Sequence, residues 1–220
     1  MNEVVKCECG LRYVPGIERN EVLHAEHHDK WVNGQPVPFS PYERVIGSIE
    51  GRDVLESSMD LPQSYRIELA NVAMLACQET PFKAGYDGSD EDIDLDARAY
   101  ILREKGRGVG LIILRRRDRF WSFLWDNNGK ENIYSHSTFF EVERWVVERI
   151  WVVSRLRKQH FAQRLVSMVA DHLKNGIGEL GWELPLTDSG RHLVRSVCPH
   201  GFWGTGDAFS IYGYEKNQKI

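Results

Sequence analysis

Two groups of residues in this chain combine side-chain types that do chemistry at spacings that let them act together. The first is Cys7 and Cys9, followed by His24 and His28. Thiolates and neutral imidazoles are the ligands that a tetrahedral zinc ion takes, and histidines four residues apart lie on one face of a helix. His27 falls on a different face of the same turn. The second group is the stretch SRLRKQHFAQRL, residues 154–165, with Arg155, Arg157, Lys158 and Arg164. A helix start already carries partial positive charge and unpaired amides, so cations crowded there raise the energy of the bare fold. Such a cost points to an anion held at the turn.

Hydropathy patterning locates the elements that must position these groups. RWVVERIWVV (144–153) reads as a strand handing over to a helix spanning 158–174, in which Phe161, Leu165, Met168, Val169 and Leu173 recur at helical spacing. NGIG ends that helix; a strand LGWELPL, a short helix capped by Thr187 or Asp188, and a last strand DAFSIYGYE follow. Upstream, RVIGSIEGRDVLESS is strand-like. A helix is expected over 61–79, with Ile67, Ala70, Val72, Met74, Leu75 and Cys77 as its buried face. ARAYILREKGRGVGLIILRRRDRFWSFLW (97–125) reads as two or three strands broken at Gly106 and around Arg116, its run of arginines decorating a solvated face. Strands interleaved with helices in this order predict a mixed α/β fold.

Composition narrows the function classes. The net charge is −4, so the chain has no global field to attract nucleic acid, and an anion site has to be local. Its apolar runs fall far short of a membrane span, and MNEVVKCECG lacks a secretory hydrophobic region, so a cytoplasmic protein is expected. A reducing compartment favours metal ligation over a disulfide for Cys7 and Cys9. The acidic stretch DGSDEDIDLD (87–96) lacks calcium-loop spacing and reads as a solvated loop. Residues 1–36 form a small zinc-finger-like module, too short to bury a core of its own without metal, and 37–220 form the main domain.

Arg157-x-x-His160-x-Ala162, preceded by an Ile-Trp-Val strand, resembles the pyrophosphate loop of the GNAT acetyltransferases, and in particular the branch of sister-chromatid cohesion acetyltransferases. Most of the superfamily has glycine at the step His160 occupies. That branch also carries an N-terminal zinc finger, matched here by Cys9-Gly10, Tyr13, His24, His28-Asp29 and Asn33-Gly34. A Gly-Thr-Gly before its last strand matches residues 204–206. Cys7-x-Cys9 departs from the two-residue spacing of that finger, which leaves His27 or Glu8 as alternatives to Cys7.

The resemblance implies a mostly antiparallel GNAT-like sheet flanked by helices and an acetyl-CoA-dependent N-acetyltransferase acting on a primary amine, a protein lysine foremost. Acetyl-CoA would lie along Trp151, Val152 and Val153, with its pyrophosphate on Arg157, Lys158, Gln159, His160, Phe161 and Ala162. Zn2+ would sit on Cys7, Cys9, His24 and His28. The partners implied are acetyl-CoA and a protein amine acceptor, with no nucleic acid and no membrane. The branch's helix glutamate is replaced by Ser167, so the general base is open between Glu183 and Glu148, with Asp207 a further candidate. The same replacement leaves a second reading, a catalytically inactive acetyl-CoA-binding and zinc-finger interaction module.

Overall fold

The computed structural model describes residues 3–57, 60–78, 97–125, 139–184 and 186–205. The acidic stretch 87–96, Asp207 and the expected strand at 207–215 lie outside these residues, as does the side chain of Cys77.

The chain opens with a two-stranded ribbon, β1 (Val5–Lys6) and β2 (Arg12–Tyr13), followed by helix α1 (Glu18–Asn33) and a short strand β3 (Gln35–Pro36). Strands β4 (Val45–Ile49) and β5 (Arg52–Ser57) lead to helix α2 (Gln63–Gln78). Three long strands follow: β6 (Ala97–Glu104), β7 (Arg107–Phe123) and β8 (Phe139–Val152). Helix α3 (Phe161–His172), strand β9 (Gly181–Glu183), helix α4 (Asp188–Val197) and strand β10 (Phe202–Thr205) complete the described chain. One sheet runs β10-β9-β8-β7-β6-β5-β4, and β3 joins it against the start of β7. It is antiparallel from β4 to β8, whereas β9 runs parallel to both β8 and β10. The architecture is the mixed α/β fold expected from the element order, with the mostly antiparallel sheet and flanking helices that the resemblance implies.

Two-residue turns with both central residues at positive φ close two of the hairpins: Glu50 (φ 51) with Gly51 (φ 74), and Lys105 (φ 50) with Gly106 (φ 75). Such turns match the right-handed twist of the strands they join. The Lys-Gly turn is legible because glycine takes positive φ freely. The Glu-Gly turn has the same pattern at Gly51, and the single strand-like stretch at 44–58 is two strands joined there. β7, by contrast, continues through Arg116 without a break, its irregularity reduced to a register shift between Arg117 and Arg119.

Leu111, Ile112, Ile113 and Leu114 are all fully buried, as are Tyr100, Ile101 and Leu102 opposite them. Consecutive burial means that both faces of the sheet are covered. On one face Val72 of α2 stands where a side chain on Gly108 would go (2.6 Å); on the other, His172 of α3 meets the edge of the Tyr100 ring at 5.8 Å. The buried stripe of α2 is Tyr65, Leu69, Ala70, Val72, Ala73, Leu75 and Ala76, while Ile67 and Met74 face outward, in correction of the expected face. Thr187 caps α4 by accepting from the Gly190 amide at 3.1 Å, which decides between Thr187 and Asp188. The arginine run is also not uniformly solvated: Arg115 is buried and paired with Glu148 at 2.5 Å. No helix among the described residues is long and apolar enough to cross a membrane.

Candidate functional site

The site forms where β8 separates from its neighbour. Ile113 pairs with Arg149 and Leu114 with Val147, so Glu148 is an extra residue bulged out of β8. On the other edge, β8 and β9 pair at Val146–Gly181 and Val147–Trp182, with no further pair between them among the described residues. β9 is paired with β10 along its length and beyond that point keeps β10 as its neighbour, the Leu184 amide donating to the Thr205 carbonyl at 2.9 Å. Two parallel strands thus splay apart, and the stretch 148–152 of β8 faces the gap. The Val153 amide donates to the Val109 carbonyl of β7 at 2.9 Å. Alternation along the strand then turns the amides of Val152 and Ile150 the opposite way, into the gap. The Val152 carbonyl points the same way and accepts from Arg157 Nε at 3.1 Å.

A short turn of 3₁₀ helix, Ser154–Leu156, links β8 to the start of α3, which begins at Phe161 rather than at 158. In the connection Lys158 (φ 61) and His160 (φ 63) both adopt the left-handed conformation, which costs a side-chain-bearing residue about 1–2 kcal/mol each. His160 is the N-cap residue of α3 and makes no side-chain cap bond, so the first amides of the helix are left without a side-chain acceptor. Backbone strain of this kind concentrates where a chain is shaped around a ligand. His160 is exposed and its Nδ1 is paired with Gln163, whose own carbonyl accepts from the Ser167 hydroxyl at 3.1 Å. Lys158 and Gln159 are likewise exposed at the turn, while Phe161 is buried and anchors α3; Ala162 is half-buried. Arg155 is paired with Glu104, which also holds Arg52 at 2.7 Å, and Arg164 is paired with Glu50. Burial raises the Glu104 carboxyl, but Arg155 and Arg52 outweigh it and hold the group below its ordinary value.

The sheet brings the two expected carboxylates to one face on either side of the gap. Glu148 lies beside Arg115, which pairs in register with Val146 and through it with Gly181; Glu183 is two residues beyond Gly181. Arg115 holds the Glu148 carboxylate in place. Trp151, Val152 and Val153 are all buried, so what this strand offers a ligand is its backbone.

The N-terminal cluster also assembles. Cys7 and Cys9 lie in the turn between β1 and β2, and His24 and His28 on α1; one donor atom from each lies within 4.8 Å of every other. Zinc bonds of 2.0–2.3 Å place tetrahedral ligands about 3.3–3.8 Å apart, so little movement brings the four together. Cys7 Sγ and His28 Nδ1 are 3.4 Å apart, and His24 Nε2 is buried without a hydrogen-bond partner among the described residues. Burial pushes the Cys9 thiol above its ordinary value, a shift that a divalent cation reverses. The donor set fits a zinc ion. His27 lies apart from it, with Nε2 3.2 Å from the Cys9 carbonyl. Tyr13 stacks on His24 with ring centres 3.9 Å apart, an aromatic support that ligand spacing alone does not reveal.

The module is joined to the sheet. Arg107 at the start of β7 donates to Asp29 and to the Gly34 carbonyl, both at 2.8 Å, and Gly34 (φ 90) lies so close to Gly108 that a Cβ there would stand 2.4 Å from its carbonyl oxygen.

No protein-family model and no curated protein matches the chain. Among solved structures it is similar to the xEco2 acetyltransferase domain, with a TM-score of 0.59 and 18% identity over 77% of this chain and 99% of that one. It is also similar to the same domain bound to a K105-CoA conjugate, with a TM-score of 0.57 and 19% identity over 76% and 98% of the two chains. The likeness is one of architecture: the chain has the GNAT-like fold of that acetyltransferase domain.

Proposed function

We propose that this chain is an acetyl-CoA-dependent N-acetyltransferase that transfers the acetyl group directly to a primary amine, a protein lysine foremost. The observation that carries the reading is the splay of β8 from β9 beside a strained, cationic helix start. The gap accommodates an extended thioester arm against the edge of β8, and the first amides of α3 donate to the pyrophosphate oxygens. The gap-facing amide of Val152 is the donor suited to polarise the thioester carbonyl, since that of Val153 is already used by Val109. In the transfer a neutral amine nitrogen bonds to the carbonyl carbon, the carbon–sulfur bond breaks, and CoA leaves as a thiolate. The ammonium form, with an ordinary pKa near 10.4, must first give up a proton. Glu148 and Glu183 flank the gap on one face and are the candidate acceptors of that proton, directly or through water. On this reading residues 37–220 carry the transfer in the cytoplasm and residues 1–36 form the metal module, where zinc held by Cys7, Cys9, His24 and His28 supplies cross-linking rather than reaction chemistry. The xEco2 domain carries a K105-CoA conjugate in one of its structures, which supports a lysine as acceptor here.

Ser167 favours a second reading. It sits on the exposed side of α3 with its hydroxyl bonded to the Gln163 carbonyl, and no carboxylate stands in its place. A protein that binds acetyl-CoA without turnover would fit that replacement. The deciding experiment is calorimetric titration with acetyl-CoA followed by transfer assays on lysine peptides. Micromolar binding that is lost in Arg157→Glu, with transfer to an amine, is the expected result. Tight binding with no transfer to any acceptor selects the binding module, and a zinc-loaded, folded protein that does not bind removes both.

A further inference from the structure

Trp31 is one of the few side chains of the N-terminal module that is buried, and what it is buried against is informative. It lies one turn after His28 on α1, and their rings stand 5.7 Å apart. On its other side the Arg157 guanidinium sits 5.7 Å from the ring centre, within cation–π range. The indole N–H has no hydrogen-bond partner among the described residues, so Trp31 is held by packing between these two groups. Arg157 in turn donates to the Val152 carbonyl at the mouth of the gap. An unbroken series of contacts therefore runs from a metal ligand through Trp31 to the cation at the phosphate turn. The same C-terminal end of α1 is also tied to the sheet, by Arg107 on Asp29 and Gly34 and by the pairing of β3 with β7 beyond the end of β8.

We infer that Trp31 is a positioning residue for acetyl-CoA: it holds Arg157 in the orientation that meets the pyrophosphate, so that metal occupancy of the N-terminal module sets acetyl-CoA affinity. This rests on the acetyl-CoA reading above. A long arginine side chain loses considerable rotamer freedom when fixed, and an aromatic face plus a carbonyl acceptor meet that cost before the ligand arrives. The module is then part of the nucleotide site in energetic terms without touching the nucleotide.

The test titrates the zinc-loaded full chain with acetyl-CoA and, in parallel, with S-acetylpantetheine, which has the thioester arm but no pyrophosphate. Trp31→Ala is expected to weaken acetyl-CoA about five- to tenfold, the size of a lost cation–π contact with its ordering, and to leave S-acetylpantetheine unchanged. Trp31→Phe, which keeps a ring, should stay within about threefold of wild type. In an Arg157→Ala background the Trp31→Ala loss should vanish, because the residue through which it acts is gone. Chelation of the metal should reproduce the Trp31→Ala pattern in both ligands. Equal losses for the two ligands, or additive losses in the double variant, would show a merely structural role and overturn the inference. Undiminished acetyl-CoA affinity in metal-stripped protein would overturn the metal link. Wild type that binds neither ligand would instead sink the acetyl-CoA reading itself, a result separable from all the others.

Discussion

In β6 and β7 the side chains of Tyr100, Ile101, Leu102 and Leu111 through Leu114 have no exposed surface, whereas among residues 3–36 the buried side chains are those of Cys9 and Trp31. The sheet removes apolar area from water on both faces, at roughly 25 cal/mol for each Å². The N-terminal module has no such reservoir, and Val4, Val5, Ile17, Val22 and Leu23 are exposed on it. Its order draws on other contacts: the Arg107 bonds to Asp29 and Gly34, the pairing of β3 with β7, and four converging side chains that would hold a metal ion. Two regions of one chain are thus expected to respond to different solution conditions: one to temperature and denaturant, the other to metal and pH.

That contrast can be broken from either side. The largest expected effect is that of Cys9→Ala, which removes a buried ligand. Zinc affinity should collapse and amide exchange across α1 should rise to near-unprotected rates, while β6 and β7 keep their protection. Exchange that rises equally in both regions would mean that the module and sheet share one core. Leu114→Ala should do the reverse, costing about 2–5 kcal/mol of global stability by denaturant unfolding while the zinc content stays intact. His160→Gly tests the turn that leads into α3. Glycine relieves the left-handed strain, offset in part by unfolded-state entropy, so a net gain of up to about 1 kcal/mol is expected, with acetyl-CoA affinity kept. His160→Ala retains the strain and should show no gain; equal stability of the two variants would refute the strain argument.

The smallest effect concerns pH. Glu104 is held below its ordinary value in the folded chain, so its pairing with Arg155 and Arg52 contributes fully above the ordinary glutamate range. That contribution is lost as the pH falls through the lowered folded value. Glu104→Gln should flatten the acid limb of the stability profile and leave neutral-pH zinc content unchanged. An acid limb identical to wild type would exclude Glu104 as its origin.

Much of this was legible in the chain because it is local. The period of Phe161, Leu165 and Val169 announces α3, and the spacing of His24 and His28 places two ligands on one helical face. Cys7 and Cys9 are adjacent enough to converge whatever the rest of the fold does. The failures have equally specific causes. The β4–β5 turn takes only Glu50 and Gly51, so short an interruption that the strand-like pattern on either side reads as continuous. Ile67 and Met74 read as core because pattern alone cannot say which arc of α2 meets the sheet. Arg115 reads as solvated because its partner, Glu148, is 33 residues away.

The sequence by itself determined the chemistry on offer: two thiols and two imidazoles at chelating spacing, and cations at a helix start after an apolar strand. Side-chain type and short-range spacing carry that information, and both survive in an unfolded chain. Only the tertiary structure decided what those groups face. It bulged β8 at Glu148, opened the gap beside Val152 and paired Arg155 and Arg164 with Glu104 and Glu50. It also laid Trp31 against Arg157 across 126 positions of chain. Register and packing between distant segments set those outcomes, and neither leaves a periodic trace in the residues that meet.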